Sequence, residues 1–342
     1  MRDFHRSELD LPNSKGISLI ELMIASALSI VIIVAVLKVY VNAHHSSRTQ
    51  ALNRQIQENG RFALQLIQED IRMAKYYGLN TMPSTIDTSD TDALITTYGC
   101  GTAAWAANFS EPVFATNNTN PFSATCISGS SYTDATDILI VRRTDSEPVS
   151  TSAIKKKHLY LYTSLTDGAS FRADENSKVN DAVARTVSQL PIETYKLSTN
   201  VYYIRPCSSM DSADSSKCSG DGIPTLVRQS LTADDTLVEP LIEYVENMQV
   251  MLGVDTDTAP DHTVDRYVSA ADVSDWEKVI AARIDLLVRS PDRVTGYINT
   301  HTYKVGRELI TKNDGYYRKV FSVTVFMRNP PLDTGEYRIV KF

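Results

Sequence analysis

Lys15, Gly16, Ile17 and Glu21 are spaced for one chemistry. Lys15-Gly16 is the best processing point near the N-terminus, because it lies before an apolar run and not after it. A secretory signal places its small-residue cleavage site on the far side. A cut after Gly16 would leave the apolar run on the mature chain and expose the Ile17 amine. On a helix Glu21 stands one turn further on, so that new cation can pair with the Glu21 carboxylate of the same chain or of a neighbour. A carboxylate inside a membrane span costs about 2.5–3.5 kcal/mol, so it is rarely casual. The alternative is a Glu snorkelling to the headgroups near the end of the span.

Other residues have chemical potential. The four cysteines, Cys100, Cys126, Cys207 and Cys218, include no C-x-x-C pair, which argues against a zinc ribbon or a thioredoxin-like site. In an oxidising compartment they would form disulfides. Of the three possible connectivities, Cys100–Cys126 with Cys207–Cys218 closes the shortest loops, and free buried thiols are the alternative. Asp255, Asp257, Asp261 and Asp265 are clustered like calcium ligands. Ala259 and Pro260 break the EF-hand pattern, and its twelfth position is Arg266, so a solvated acidic turn is the simpler reading. Lys155, Lys156, Lys157 and His158 form the one dense basic run, read as a solvated hairpin end or edge-strand protection before a phosphate or DNA contact. His44 and His45 are adjacent on a helix and do not face one metal together. No G-x-S-x-G, G-x-x-x-x-G-K-[ST], H-E-x-x-H or G-x-G-x-x-G is present, and nothing motivates an enzyme or a resident cofactor.

The elements that position these residues follow from patterning. Ile17–Leu37 carries only Glu21 as a charge and has no Pro or Gly; spanning a bilayer takes about 20 such residues. Arg2, Arg6 and Lys15 before the run favour a cytoplasmic N-terminus. Leu52, Ile56, Ala63, Ile67, Ile71 and Ala74 then form one apolar stripe, predicting a helix from Ile17 to Tyr77, with Gly60 marking a bend and Gly78 capping it. Residues 79–135 read as long loops. Strands are expected at Asp137–Arg143, His158–Thr163, Val201–Arg205, Pro224–Arg228, Leu241–Leu252, Ala281–Arg289 and Val320–Arg328. In the last two, Ile284, Leu286 and Val288, and Phe321, Val323 and Val325, alternate with polar residues. Ser269–Lys278 reads as a short helix with Ser269 and Asp272 as a capping box. The fold class is α+β: a long N-terminal helix, transmembrane then amphipathic, packed on a mainly antiparallel sheet with large loop insertions. The boundaries are 1–16, a leader; 17–44, the apolar helix; 45–78, its amphipathic half; and 79–342, a β-rich extracytoplasmic domain.

The segment KGISLIELMIASALSIVIIVAVL resembles the class III signal and N-terminal helix of type IV pilins and pseudopilins. That resemblance implies cleavage after Gly16 by a prepilin peptidase, N-methylation of Ile17 and an assembly role for Glu21. Ile17 departs from the family's more frequent Phe. QENGRFALQLIQEDIRMAKYYG (Gln57–Gly78) is similar to the second helical half of PilW-type minor pilins. LIEYVENMQVMLGVDTD, RYVSAADVSDWEKVIAARIDLLVRS and RKVFSVTVFMRN look like their globular domain. The resemblance covers Lys15–Gly78 and Leu241–Asn329; between them only VYYIRP and GIPTLVR match, loosely. It implies a fimbrial subunit priming type IV pilus assembly and twitching motility. The implied partners are other minor pilins, the major pilin and a PilY-type tip adhesin. The implied location is the bacterial inner membrane, then the pilus. A J-type minor pseudopilin of type II secretion and a DNA-binding subunit for transformation are the alternatives.

Composition limits the remaining classes. A net charge of −7 over 342 residues and a pI of 5.4 argue against a nucleic-acid partner. A mean hydropathy of −0.20 excludes a polytopic membrane protein, although the average combines one very apolar run with a polar remainder.

Overall fold

The computed structural model describes residues 16, 18–80, 85–87, 108–122, 126–155, 158–165, 168–172, 192–214, 217–231, 236–257 and 261–329. The chain divides into two compact units, Met1–Ala51 and Leu52–Phe342. One helix, α1 (Leu19–Arg72), makes up the described structure of the first unit and opens the second.

In the first unit α1 is exposed on every side. Its large apolar residues keep 55–76% of their surface, from Leu37 to Leu19. Ile30–Val34 is rich in β-branched residues, which are poor helix formers in water. In hydrocarbon the helix is nevertheless the state that satisfies each backbone group within the segment. Ser26 Oγ donates to the Met23 carbonyl (2.9 Å) and Ser29 Oγ to the Ala25 carbonyl (2.7 Å), so both hydroxyls are satisfied inside the helix. The segment is long and apolar enough to cross a membrane.

In the second unit the stripe is buried: Leu52, Ile56, Ala63, Ile67, Ile71 and Ala74 are each 6% exposed or less. All but Leu52 join a core built from both large sheets. The first sheet comprises β1 (Ile86–Asp87), β2 (Val113–Ala115), β3 (Leu139–Thr144), β4 (Leu159–Thr163), β5 (Gly168–Arg172), β6 (Glu193–Arg205), β7 (Thr225–Leu231) and β8 (Thr236–Glu243). Its order is β1-β5-β4-β6-β3-β2, with β7 on β6 and β8 on β7, and only β1–β5 is parallel. Leu139, Val141, Tyr202, Ile204 and Leu226 face the helix core, whereas Ile140, Val201, Tyr203 and Val227 face a second core with Tyr77, Phe109 and Ile127. This sheet is therefore buried on both sides.

The second sheet is antiparallel, in the order β10 (Arg266–Val268), β9 (Val245–Val254), β11 (Val279–Arg289), β14 (Arg318–Phe326). Between β11 and β14 the chain makes a hairpin of β12 (Thr302–Val305) and β13 (Glu308–Thr311). The mainly antiparallel α+β architecture agrees with the sequence reading. On β11, Ile284, Leu286 and Val288 face the helix core as expected. Asp285, on the opposite face, is only 1% exposed. There it receives Arg283 (3.1 Å) and the Ser322 hydroxyl.

Four local expectations are corrected. The helix stops at Arg72, before Tyr77. Lys75 takes a left-handed φ of 65°, and its N–H donates to the Arg142 carbonyl of β3 (3.3 Å). Gly78 also has a positive φ, but in the turn beyond, with the Tyr195 ring against it. Gly60 lies inside unbroken helix, and its missing side chain makes room for the Phe321 ring of β14. Leu241–Leu252 is two strands, because Tyr244 at φ 67° carries the chain from one sheet to the other. Ser269–Lys278 forms two single 3-10 turns in place of one helix. Ser269 Oγ donates to the Asp272 side chain (2.7 Å), so no capping box is made.

Candidate functional site: the helix start and the lock at its end

The N-terminal chemistry sits on an open helix start. Gly16 is described and exposed, and Ile17 lies outside the described residues. The Leu22 N–H donates to the Ser18 carbonyl (3.1 Å), closing the first turn. Glu21 is the acidic residue of that turn and is exposed. A carboxylate there also meets the positive end of the helix dipole. Between Leu19 and Val41 the other charge is Lys38. Lys38 lies more than four turns along the helix from Glu21, beyond the i, i+4 reach of a helical ion pair.

The last turn of α1 is locked by a group that periodicity did not single out. Asp70 is 5% exposed and faces the sheet. Its carboxylate receives Arg143 Nε at 2.5 Å, Asn200 Nδ2 at 2.9 Å and the Tyr202 hydroxyl at 2.9 Å. Burial, then the Asp70 charge and hydrogen bond, raise the Tyr202 hydroxyl well above its ordinary pKa, so it stays a donor. Further along, the Arg328 N–H donates to the Arg72 carbonyl (3.2 Å), and Asn59 Nδ2 to the Glu243 carbonyl (3.3 Å). Together they hold Asn59–Arg72 to β3, β6, β8 and the end of β14.

The two sheets are held by a second buried acid. The Asp137 carboxylate accepts the N–H groups of Asn118 (2.8 Å) and Val250 (2.7 Å), and its own N–H donates to Met248 (2.9 Å). Burial raises its pKa to about 6 against the lowering effect of those two donors.

The acidic loop brings together three of its four candidates. One carboxylate oxygen each from Asp255, Asp257 and Asp261 lies within 4.8 Å of the others. Asp255 is buried and accepts the N–H groups of Asp257 (3.1 Å) and His262 (2.9 Å). Asp261 caps Thr263, and Asp265 caps Thr256. The negative charge of Asp265, then desolvation, Asp261 and Asp255, raises the Asp257 pKa. The carboxylates of Asp255, Asp261 and Asp265 are thus engaged in shaping their own turn.

Cys207 and Cys218 form a disulfide with Cα atoms 5.6 Å apart. Cys126 is disulfide-bonded too, and Cys100 lies outside the described residues. The Cys207–Cys218 loop is organised by Asp221, another residue missed from sequence. Its carboxylate accepts from the Ile223 N–H (2.8 Å), the Ser208 N–H (3.1 Å) and hydroxyl (2.9 Å), and the Ser219 hydroxyl (3.1 Å). Partial burial pushes this acid up, but those donors outweigh it and hold the carboxyl at about 2.

Among the described residues, the histidine and lysine candidates are not assembled into a site. Lys156 and Lys157 lie outside the described residues. The Lys155 N–H donates to the Tyr160 hydroxyl (2.9 Å). Burial, then Lys196 and Lys155, lower the His158 pKa. His44 and His45 are exposed on α1, and the His44 ring lies 6.3 Å from that of Tyr40.

No curated protein and no solved structure gives a significant match to the chain. The matched stretch, residues 201–329, takes in the end of β6, which receives Asp70 through Tyr202, and runs through β7 to β14. It includes the VYYIRP and GIPTLVR segments that sequence reading had matched only loosely. Over residues 201–329 the chain matches the PilW family, described as Type IV Pilus-assembly protein W.

Proposed function

We propose that the chain is a minor pilin that primes type IV pilus assembly, in a tip complex with other minor pilins and a PilY-type adhesin. What supports this reading is the match of residues 201–329 to a pilus-assembly family in a chain whose first helix begins with a segment long and apolar enough to cross a membrane. The apolar half of α1 keeps the subunit in the inner membrane, with its N-terminus cytoplasmic, until assembly. It then leaves lipid for the filament core, where side-chain packing replaces acyl chains. Cleavage after Gly16 creates the Ile17 amine, the nearest cation for Glu21. An unpaired carboxylate in an apolar core is costly, so pairing with an amine favours one axial position for each subunit.

Intact-mass analysis of the protein from peptidase-positive cells tests this. The expected chain begins at Ile17 and carries a methyl group; an intact leader overturns the reading. Glu21→Ala should be cleaved normally and fail to co-purify with the other minor pilins. Full piliation by that variant would remove Glu21 from the mechanism.

A further inference from the structure

The far end of the apolar run in α1 carries bases and no acid. After Glu21 the next acidic residue is Glu58, and between them stand Lys38, His44, His45, Arg48 and Arg54. Arg2, Arg6 and Lys15 precede the run, so three Lys or Arg residues flank it on either side. Orientation in a membrane follows an excess of Lys and Arg on the cytoplasmic side. Bases at the far end cancel that excess, so they answer to something other than orientation.

The segment is built like a membrane interface, and it lies wholly within the first unit. Lys38 directly follows Leu37, and Tyr40 is 66% exposed. A tyrosine settles at the headgroup level, its ring in the oily layer and its hydroxyl in the polar one. Tyr40, His44 and Arg48 recur every four residues and so share one helix face. The His44 ring stands 6.3 Å from the Tyr40 ring. Helical side chains tilt toward the N-terminus, so His44, His45 and Arg48, all exposed, lean back toward the apolar run.

We propose that Lys38, His44, His45 and Arg48 seat the phosphate of an anionic phospholipid headgroup, in the leaflet at the non-cytoplasmic end of the helix. The inference rests on the reading of α1 as a membrane span and adds a lipid preference to it. Depth supports it. Lys38 and Arg48 are roughly 15 Å apart along the axis, and the polar layer of one leaflet is about 5–7 Å deep. Lys38 snorkels into that layer from below and Arg48 reaches back into it from above. Chemistry supports it as well. Ammonium, guanidinium and imidazole groups all offer N–H donors to phosphate oxygens, and no Asp or Glu from Leu22 to Gln57 competes for them. A zwitterionic headgroup offsets its own phosphate, whereas an anionic one leaves that charge for the protein. The contact holds the helix at one depth and is given up when the subunit leaves lipid for a filament.

Native mass spectrometry of the full chain tests the assignment. The chain is released from detergent micelles holding phosphatidylglycerol and phosphatidylcholine in equal amounts with matched acyl chains, and the retained lipids are counted. Phosphatidylglycerol should be retained at least about fivefold over phosphatidylcholine. With Lys38→Gln, His44→Ala, His45→Ala and Arg48→Gln combined, the ratio should fall to about one. Lys38→Arg with Arg48→Lys keeps the charge and should keep the preference. All four positions are exposed on one continuous helix, and an unchanged thermal melt reports that each variant is folded. Equal retention of the two lipids by the parent chain overturns the proposal and leaves these bases to an acidic protein surface. A preference that survives the four-site variant overturns it too, because the lipid then sits elsewhere. Retention of neither lipid removes the membrane span itself, and the proposal with it.

Discussion

Arg143 on β3 reaches Asp70 in the last turn of α1, Nε to Oδ1 at 2.5 Å, and fixes the end of the helix to the first sheet. Removing the acid alone leaves Arg143, Asn200 and Tyr202 short of an acceptor at a site only 5% exposed. Breaking a buried pair from one side costs about 3–5 kcal/mol. Asp70→Ala should therefore lower the urea-unfolding free energy by about 3 kcal/mol. A loss below about 1 kcal/mol would mean that water reaches the trio.

Gly60 should reverse the usual helix rule. Replacing an interior helical Gly by Ala ordinarily stabilises by about 1 kcal/mol. Here the added methyl meets the Phe321 ring, and overpacking costs about 1–3 kcal/mol. Gly60→Ala should lower Tm, and Gly60→Ala with Phe321→Ala should lose less than the two single losses added. Additive losses would place the strain elsewhere.

Stability should respond to pH in two windows of opposite sign. Burial raises the Asp137 pKa to about 6, so the native state holds a proton there that the unfolded chain releases near 4. Its contribution is full below about 4 and is lost as pH rises through about 6. Asp314 and Asp221 behave oppositely. The Arg318 hydrogen bond holds Asp314 at about 2, and its loop donors hold Asp221 at about 2 despite partial burial. Their contributions are present above about 4 and are lost as pH falls toward 2. Thermal melts from pH 3 to 8 should show both slopes. Asp137→Asn should flatten the one between about 4 and 7, and an unchanged slope there would contradict the burial of that acid.

The Cys207–Cys218 link and Asp221 should act as one unit. Closing a loop of this size is worth about 3 kcal/mol in the unfolded chain. Cys207→Ser with Cys218→Ser should cost about that much, with Asp221→Ala costing less in the disulfide-free background than in the parent. Differential calorimetry of the four proteins gives the coupling directly.

Parts of this molecule were legible in its residues because they repeat. The stripe from Leu52 to Ala74 carries many copies of one signal and proved buried as spaced; on β11 Ile284, Leu286 and Val288 proved buried, but so did Asp285 on the other face, and on β14 Val325 is buried while Phe321 and Val323 are half-buried. Single events were not legible. Tyr244 turns the chain between sheets with a positive φ, and Gly or Asn would have advertised that where Tyr does not. The end of α1 at Arg72 depends on β3 receiving the next turn, which no local pattern contains. Asp70 did leave a trace, since it falls seven residues after Ala63, at a stripe position where an apolar residue was due. A charge in such a place signals a partner from elsewhere in the chain.

Between Leu19 and Val41 α1 presents oily side chains around its circumference, and Ser26 and Ser29 return their hydroxyls to its own backbone. Such a rod has no preferred azimuth: rotating it about its axis changes little in what a neighbour feels. In the proposed filament, angular orientation would then fall to contacts made beyond Leu52. In that filament Glu21 would have the one-dimensional task of setting how far along the axis the rod comes to rest.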